Sequence, residues 1–490
     1  MISRLILKIW RNVIWEALGR SRELAILAGA SMIAGALALE FMIIEIASPI
    51  VSGIHSNLGG QGQIDLERLT FDEVALAAAL ILTLLSGLAP NLSALDRILA
   101  SMPIRPSERY VGYAVPSLVL ELAALVLLFA PIAFVVSTAP PGPAWVAAGF
   151  GLQILLAVLF TNLAQLFVTV TLVRVFALSE VLARMLGAAC VGFAILTIML
   201  SDVTGTMRSF KTPISALSLA SAAIDPSASA STRFAVVAGA VAAAVAMAAL
   251  ILVLATLLVR NEGVSLRPMF PSLVEGRRGF SQLVVTSARL ASRHPENRVT
   301  ALLYFGMALM LGAFLASQRN AEQWSGIAIL LGVAAAASLG LNAYGRTRPF
   351  RWIVVVAPLP RGTWLAANAM GALVVSVVAA AVIVLPFVLA GVPAAGAGTL
   401  TIAALAIFVL TYAWMHGIGV VVPYSEEIPL SSALVSLGAL VLGLPLFYLL
   451  TKLGLVEGGA RSVLLVAGVV VASAITASWV DRARLSATGP

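Results

Sequence analysis

From residue 24 onward the sequence is built of apolar stretches about twenty residues long, separated by short polar segments, and that pattern limits the fold more than any other feature. Twelve stretches can be drawn: 24–47, 73–91, 111–136, 144–172, 185–201, 235–259, 300–317, 327–344, 365–390, 399–422, 431–451 and 462–480. A helix of that length covers a hydrocarbon core of about 30 Å. It also satisfies its own backbone hydrogen bonds where no water is present. A membrane barrel would need strict alternation, and the Ala, Val, Leu and Gly that fill these runs suit closely packed helices instead. At 61% hydrophobic and 11% charged over 490 residues, a soluble fold would have no polar exterior to speak of. The expected fold class is all-α: a polytopic membrane protein of about 12 transmembrane helices.

The charges set the expected orientation. With the N-terminus inside, the internal segments carry 23 of the 30 Lys and Arg residues and the external loops carry 7, a bias that places both termini in the cytoplasm. The net charge of +8 reads the same way, as loop anchoring and not as nucleic-acid binding. Only Lys8, Lys211 and Lys452 are lysine, a usage that points to a GC-rich bacterial source and hence to a bacterial plasma membrane. Residues 1–22 have apolar positions at helical spacing (Ile2, Leu5, Ile6, Ile9, Val13, Ala17) flanked by Trp10 and Trp15. They read as an amphipathic helix in the membrane interface rather than as a cleavable signal peptide.

The chain divides into a first six-span half with that N-terminal helix (1–259), a basic linker (260–299), and a second six-span half (300–490). The halves look related. Asp96 to Tyr110 follows the second span and Arg351 to Trp364 the eighth, and a shift of 255 residues superposes Pro103 on Pro358 and Ile104 on Leu359. Each segment is an apolar turn, then a proline break, then basic residues: Arg105 and Arg109 in one, with Arg97 ahead of its apolar turn, and Arg361 in the other. Between the fourth and fifth spans of each half, Leu178-Ser179-Glu180 pairs with Tyr424-Ser425-Glu426. Parallel halves of this kind suggest duplication.

These residues resemble the coupling-helix loops of the type-2 ABC exporter permeases. The amphipathic N-terminal helix is similar to that family's interfacial connecting helix, with 282–298 as its second copy, and 202–234 resembles its re-entrant extracellular segment. The resemblance implies a fused twelve-span permease in a bacterial inner membrane. Two copies of a separate nucleotide-binding ATPase would dock on the loops at Arg97, Pro103, Ile104, Arg105 and Arg109 and at Pro358, Leu359 and Arg361, with Glu180 and Glu426 in the later internal loops. ATP and Mg would sit on that partner, and no cofactor on this chain. The second half departs from the pattern: 452–461 is too short for a re-entrant hairpin, and 423–430 has no basic residue.

The remaining chemistry is sparse. No Gly-x-x-x-x-Gly-Lys-Ser/Thr segment occurs. His55, His294 and His416 are scattered, and Cys190 is the only cysteine. No catalytic residue and no metal site is expected, and the chain is not expected to be an enzyme by itself. An ionised group in mid-membrane costs roughly 2.5–3.5 kcal/mol, so polar residues inside spans need a reason. Glu121, Asn162, Gln165 and His416 are candidates to line a substrate pathway, with interhelical hydrogen bonding as the structural alternative. Partners expected from this are membrane lipids and a small hydrophobic or amphipathic compound. A major-facilitator-like secondary exporter has the same span count, but 90–97 lacks that family's glycines. A lipid-modifying membrane enzyme has no His, Asp or Glu cluster here to support it.

Overall fold

The structure is a computed structural model. It describes residues 8, 11–12, 22–57, 75–80, 83, 106–136, 143–178, 180–204, 229–257, 279–293, 295–316, 321–341, 343–347, 362–389, 397–422, 431–453, 455 and 459–487. Among these there is no strand, and nearly every residue is helical. The helices are α1 (Arg22–Asn57), α2 (Pro106–Val136), α3 (Pro143–Phe176), α4 (Glu180–Thr204) and α5 (Ala230–Leu257). They continue with α6 (Phe280–Arg293), α7 (Pro295–Ala316), α8 (Ala321–Ala337), α9 (Ala343–Thr347) and α10 (Thr363–Leu389). The last three are α11 (Ala397–Val421), α12 (Ser431–Lys452) and α13 (Gly459–Ala487), and residues 75–80 are helical as well.

Seven stretches among the described residues are long and apolar enough to cross a membrane, lying in α1, α3, α5, α8 with the residues after it, α10, α11 and α13. Shorter apolar helices lie within α2, α4, α7 and α12. Their outward faces are apolar too: Leu389 is 75%, Phe234 73% and Leu464 72% exposed. Large side chains so exposed in so many helices need lipid, not water, around them. The chain is an all-α, multi-pass membrane protein.

The described helices fall into two compact units. One holds residues 33–57 of α1, the helical residues 75–80, and α2 to α5; the other holds residues 22–32 and α6 to α13. In the first unit α3 is central. Ala157 packs with Ala75, Leu76 and Ala79 and with Val191 and Ile195 of α4. On another side Leu156 and Leu159 meet Ala240, Ala244 and Ile251 of α5. This explains why α3 is apolar on all sides.

In the second unit α10 and α11 are central. Ile383 and Phe387 of α10 pack with Leu315 of α7 and with Ala328 and Ala336 of α8. Phe408 and Tyr412 of α11 pack with Val333 and Ala337 of α8 and with Ala372 of α10. The amphipathic α6 lies along α10 so closely that a Cβ at Gly371 would stand 2.6 Å from the Ser287 Cβ and 2.7 Å from the Ala288 nitrogen. Its buried positions, Ser287 and Ala291, are small, which is what permits that approach.

The sequence reads 327–344 as one uninterrupted span. The structure breaks it. After α8 the chain tightens into a 3₁₀ turn at Ser338–Gly340, with Leu341 N–H bonded to the Ser338 carbonyl at 3.0 Å, and resumes as the short α9. The turn lies against α11. Gly340 lies against the ring of Tyr412, where a Cβ would come within 3.0 Å of Cδ2 and nearer still to Cε2. The Leu341 carbonyl lies against Gly419 with no room for a side chain. Glycine at 340 and at 419 is what permits so close an approach of α11 to this turn.

Candidate functional site

The break matters for what it carries. The loop expected to act as the second coupling element begins directly after α9, and three hydrogen bonds from distant helices hold that helix and its neighbour α10. The Tyr344 hydroxyl, on a side chain only 1% exposed, donates to the Asp481 carboxylate of α13 at 2.6 Å. The Asn368 side-chain amide of α10 donates to the Thr347 hydroxyl at 2.6 Å and approaches the Ala343 carbonyl at 3.3 Å. Thr347 in turn donates to the Tyr344 carbonyl at 3.1 Å. The Tyr412 hydroxyl of α11 donates to the Ala369 carbonyl of α10. Buried bonds of this kind are costly to leave unmade, so they fix α9 against α10 and α13, and α10 in turn against α11.

His416 extends this cluster. Its ring stacks on Tyr412 at 5.9 Å between centroids and 8° between planes, and Tyr412 stacks on Phe408 at 6.2 Å and 12°. The imidazole lies beside the Gly340 carbonyl, yet neither ring nitrogen makes a hydrogen bond of ordinary geometry. The Oδ1 of Asn368 and the hydroxyl of Ser376 are likewise buried without a partner. The polar groups of α10 and α11 thus collect around the broken span.

In the first unit the candidate residues meet along α3. The Glu121 carboxyl of α2 comes within hydrogen-bonding reach of the Asn162 side chain, while the Asn162 amide donates to the Val158 carbonyl of its own helix at 3.0 Å. Gln165, one turn on, reaches the Thr83 carbonyl at 3.4 Å. Gln153 is 1% exposed. Glu121, Asn162 and Gln165 are therefore interhelical bonding groups as they stand. His416 belongs to the other unit.

The turn from α3 to α4 is fastened as well. Ala177 adopts a left-handed backbone with φ 51°, and the Leu178 N–H turns back onto the Leu172 carbonyl at 3.2 Å, closing the end of α3. Arg174 grips the last carbonyl of α5, at Leu257, with Nε at 3.1 Å and Nη2 at 2.7 Å. A cation on a helix C-terminus is favourable by charge as well as by hydrogen bonding. Glu180 begins α4 immediately beyond this turn, and Arg109 lies in the first turn of α2.

Arg97, Pro103, Ile104, Arg105, Pro358, Leu359, Arg361 and Glu426 lie outside the described residues. Tyr344, Thr347 and Asp481 carry no signal in spacing or motif that marks them as partners. Among the described residues no group of three His, Cys, Asp or Glu is placed to hold a metal ion. No family model matches the chain, and no curated protein matches it in sequence.

Proposed function

We propose that this chain is the permease of an ATP-driven exporter of the type-2 ABC kind, with about twelve spans in two halves and both termini in the cytoplasm of a bacterial cell. It moves a hydrophobic or amphipathic compound outward, while two copies of a separate ATPase bind and hydrolyse ATP with Mg. One observation carries this reading: the clamp on α9. A loop that converts closure of an ATPase into movement of a span must be mounted on a stiff base, or the motion dissipates before it reaches the bundle. α9, from which residues 348–361 depart, is held by Tyr344–Asp481 and Asn368–Thr347, and α10, which those residues enter, is held by Tyr412–Ala369. The Arg174 fork on Leu257 gives the α3–α4 turn, where Glu180 lies, a comparable anchorage.

A second reading has an observation of its own. Interrupted spans with buried polar groups line the ion sites of gradient-driven transporters, and the turn at Ser338–Gly340 beside His416 has that form. Reconstitution separates the two. The chain in proteoliposomes, without an ATPase subunit, is expected to be inert under an imposed proton or sodium gradient. Transport is expected only when the cognate ATPase and ATP are added, with two ATPase copies per permease. Gradient-driven transport in the absence of an ATPase would overturn the exporter-permease reading in favour of the second.

A further inference from the structure

The interruption between α8 and α9 frees backbone groups that a continuous helix would pair, and each of them needs a partner. Several have one. The Ser338 hydroxyl donates to the Ala335 carbonyl at 2.7 Å, and the Leu341 N–H closes on the Ser338 carbonyl at 3.0 Å. Asn368 of α10 reaches the Ala343 carbonyl, where α9 begins, at 3.3 Å. The side chain that α11 presents to the break is less well served. His416 is 7% exposed, and its imidazole lies beside the Gly340 carbonyl. One carbonyl faces at most one ring nitrogen, and neither nitrogen makes a hydrogen bond of ordinary geometry. The ring is stacked on Tyr412, whose own hydroxyl is tied to the Ala369 carbonyl.

Whatever its charge, an imidazole carries at least one N–H donor. Leaving such a group unpaired inside the bundle costs about 1–3 kcal/mol, and apolar packing cannot supply the bond. The groups to be satisfied are an imidazole and a carbonyl oxygen side by side. A metal ion would find too few ligands among the described residues, and an anion would be repelled by the carbonyl. A ligand for both groups must donate as well as accept, and must be small enough for close-packed helices. Water meets these conditions, and a buried water typically bonds about three polar groups. We propose that the break in this span holds an ordered water molecule, bound by the His416 imidazole and the Gly340 carbonyl. The site does not rest on the exporter reading, because the same groups need a partner whatever drives transport.

The test is X-ray radiolytic footprinting of the full chain in neutral detergent, read by mass spectrometry. A short pulse splits water where it lies, and the hydroxyl radical modifies the side chains beside it. A buried residue is therefore modified only where water is bound next to it. After correction for intrinsic reactivity, His416 and Tyr412 are expected to be modified several-fold faster than Phe387, which is buried in the apolar cluster of α7, α8 and α10. His416→Phe removes both nitrogens and keeps an aromatic ring, and it should bring Tyr412 down to the level of Phe387. His416→Gln keeps a donor and an acceptor, and it should restore most of the modification. The wild-type comparison needs no variant, so it decides the matter even if His416→Phe folds poorly. Equal rates for His416, Tyr412 and Phe387 in the wild type overturn the proposal, whether the break is dry or the bundle is wet throughout. An unchanged rate at Tyr412 in folded His416→Phe overturns it too, since the water would then be held by other groups.

Discussion

Ala177 holds the left-handed backbone that ends α3 (φ 51°), a conformation that costs a residue with a Cβ roughly 1–2 kcal/mol and costs glycine almost nothing. Ala177→Gly should therefore stabilise the protein by about 0.5–1 kcal/mol, after allowance for the extra freedom glycine has in the unfolded chain. Thermal melting of the purified protein measures it, and a fall in stability would mean that the turn is held by something other than its backbone angles. The sequence offered only the pair Leu178-Ser179-Glu180 at this point, with no glycine to mark a left-handed cap. Single residues were legible where periodicity speaks for them. Asn162 and Gln165, three apart, share one face of α3, but that the Glu121 carboxyl of α2 lies at Asn162 has no local pattern to announce it. Tyr344 and Asp481 are 137 positions apart, and no local pattern links a tyrosine at the end of one helix to an aspartate at the end of another. Asn368 was visible as a polar residue beginning a span, but its partner Thr347 was not.

Among the elements, helices were the easy part, because runs of about twenty apolar residues leave a chain in lipid no other choice. Their ends were harder. α1 continues to Asn57 with Pro49 inside it, well past the expected end at 47, since a helix that leaves the apolar core keeps its hydrogen bonds until a breaker or a competing partner stops it. The 3₁₀ turn at Ser338–Gly340 was invisible because no proline marks it and the residues it lies against, Tyr412 and Gly419, are on α11, far along the chain. The resemblance to a second interfacial helix covers 282–298, where the structure has α6 (Phe280–Arg293) and the start of α7. What the sequence could not indicate is that the small face of α6 lies on α10. That contact makes a sharp prediction at Gly371, where an added Cβ meets backbone and Cβ atoms of α6 at 2.6–2.7 Å. Backbone cannot swing aside as the end of a flexible side chain can, so Gly371→Ala should destabilise the protein by on the order of 1–3 kcal/mol. Gly398→Ala, on a glycine with open space around it, is the control and should cost much less. Equal melting temperatures for the two variants would mean that α6 is not seated on α10 in the membrane.

For the molecule as a whole, the repeat seen in the sequence divides the chain within its basic linker, whereas the compact units hold α2 to α5 and α6 to α13 and divide α1 between residues 32 and 33. The two are not built alike at the places where force would enter. In the second unit the broken span and its clamp fasten α9 directly before residues 348–361. In the first, the fastening in view is the Arg174 fork beyond the α3–α4 turn. A clamped loop transmits displacement, and a residue at its tip can be removed without disturbing the bundle, because truncation at an interface removes contacts only there. If the exporter-permease proposal holds, Ile104→Ala and Leu359→Ala weaken ATPase binding or export while leaving the amount of the protein in the membrane unchanged. The first half keeps basic residues in both loops expected to be internal, at Arg105 and Arg109 and at Arg174 and Arg184, whereas Glu426 and Glu427 stand in the later such loop of the second. If the ATPase surface is acidic, the first half makes the stronger contact, and Ile104→Ala should be the more severe substitution. A pull-down of the cognate ATPase from membranes carrying each variant, normalised to permease abundance, measures both effects. Wild-type ATPase retention and export in both variants would reduce the two proline loops to plain connectors and leave the clamp on α9 as a feature of folding alone.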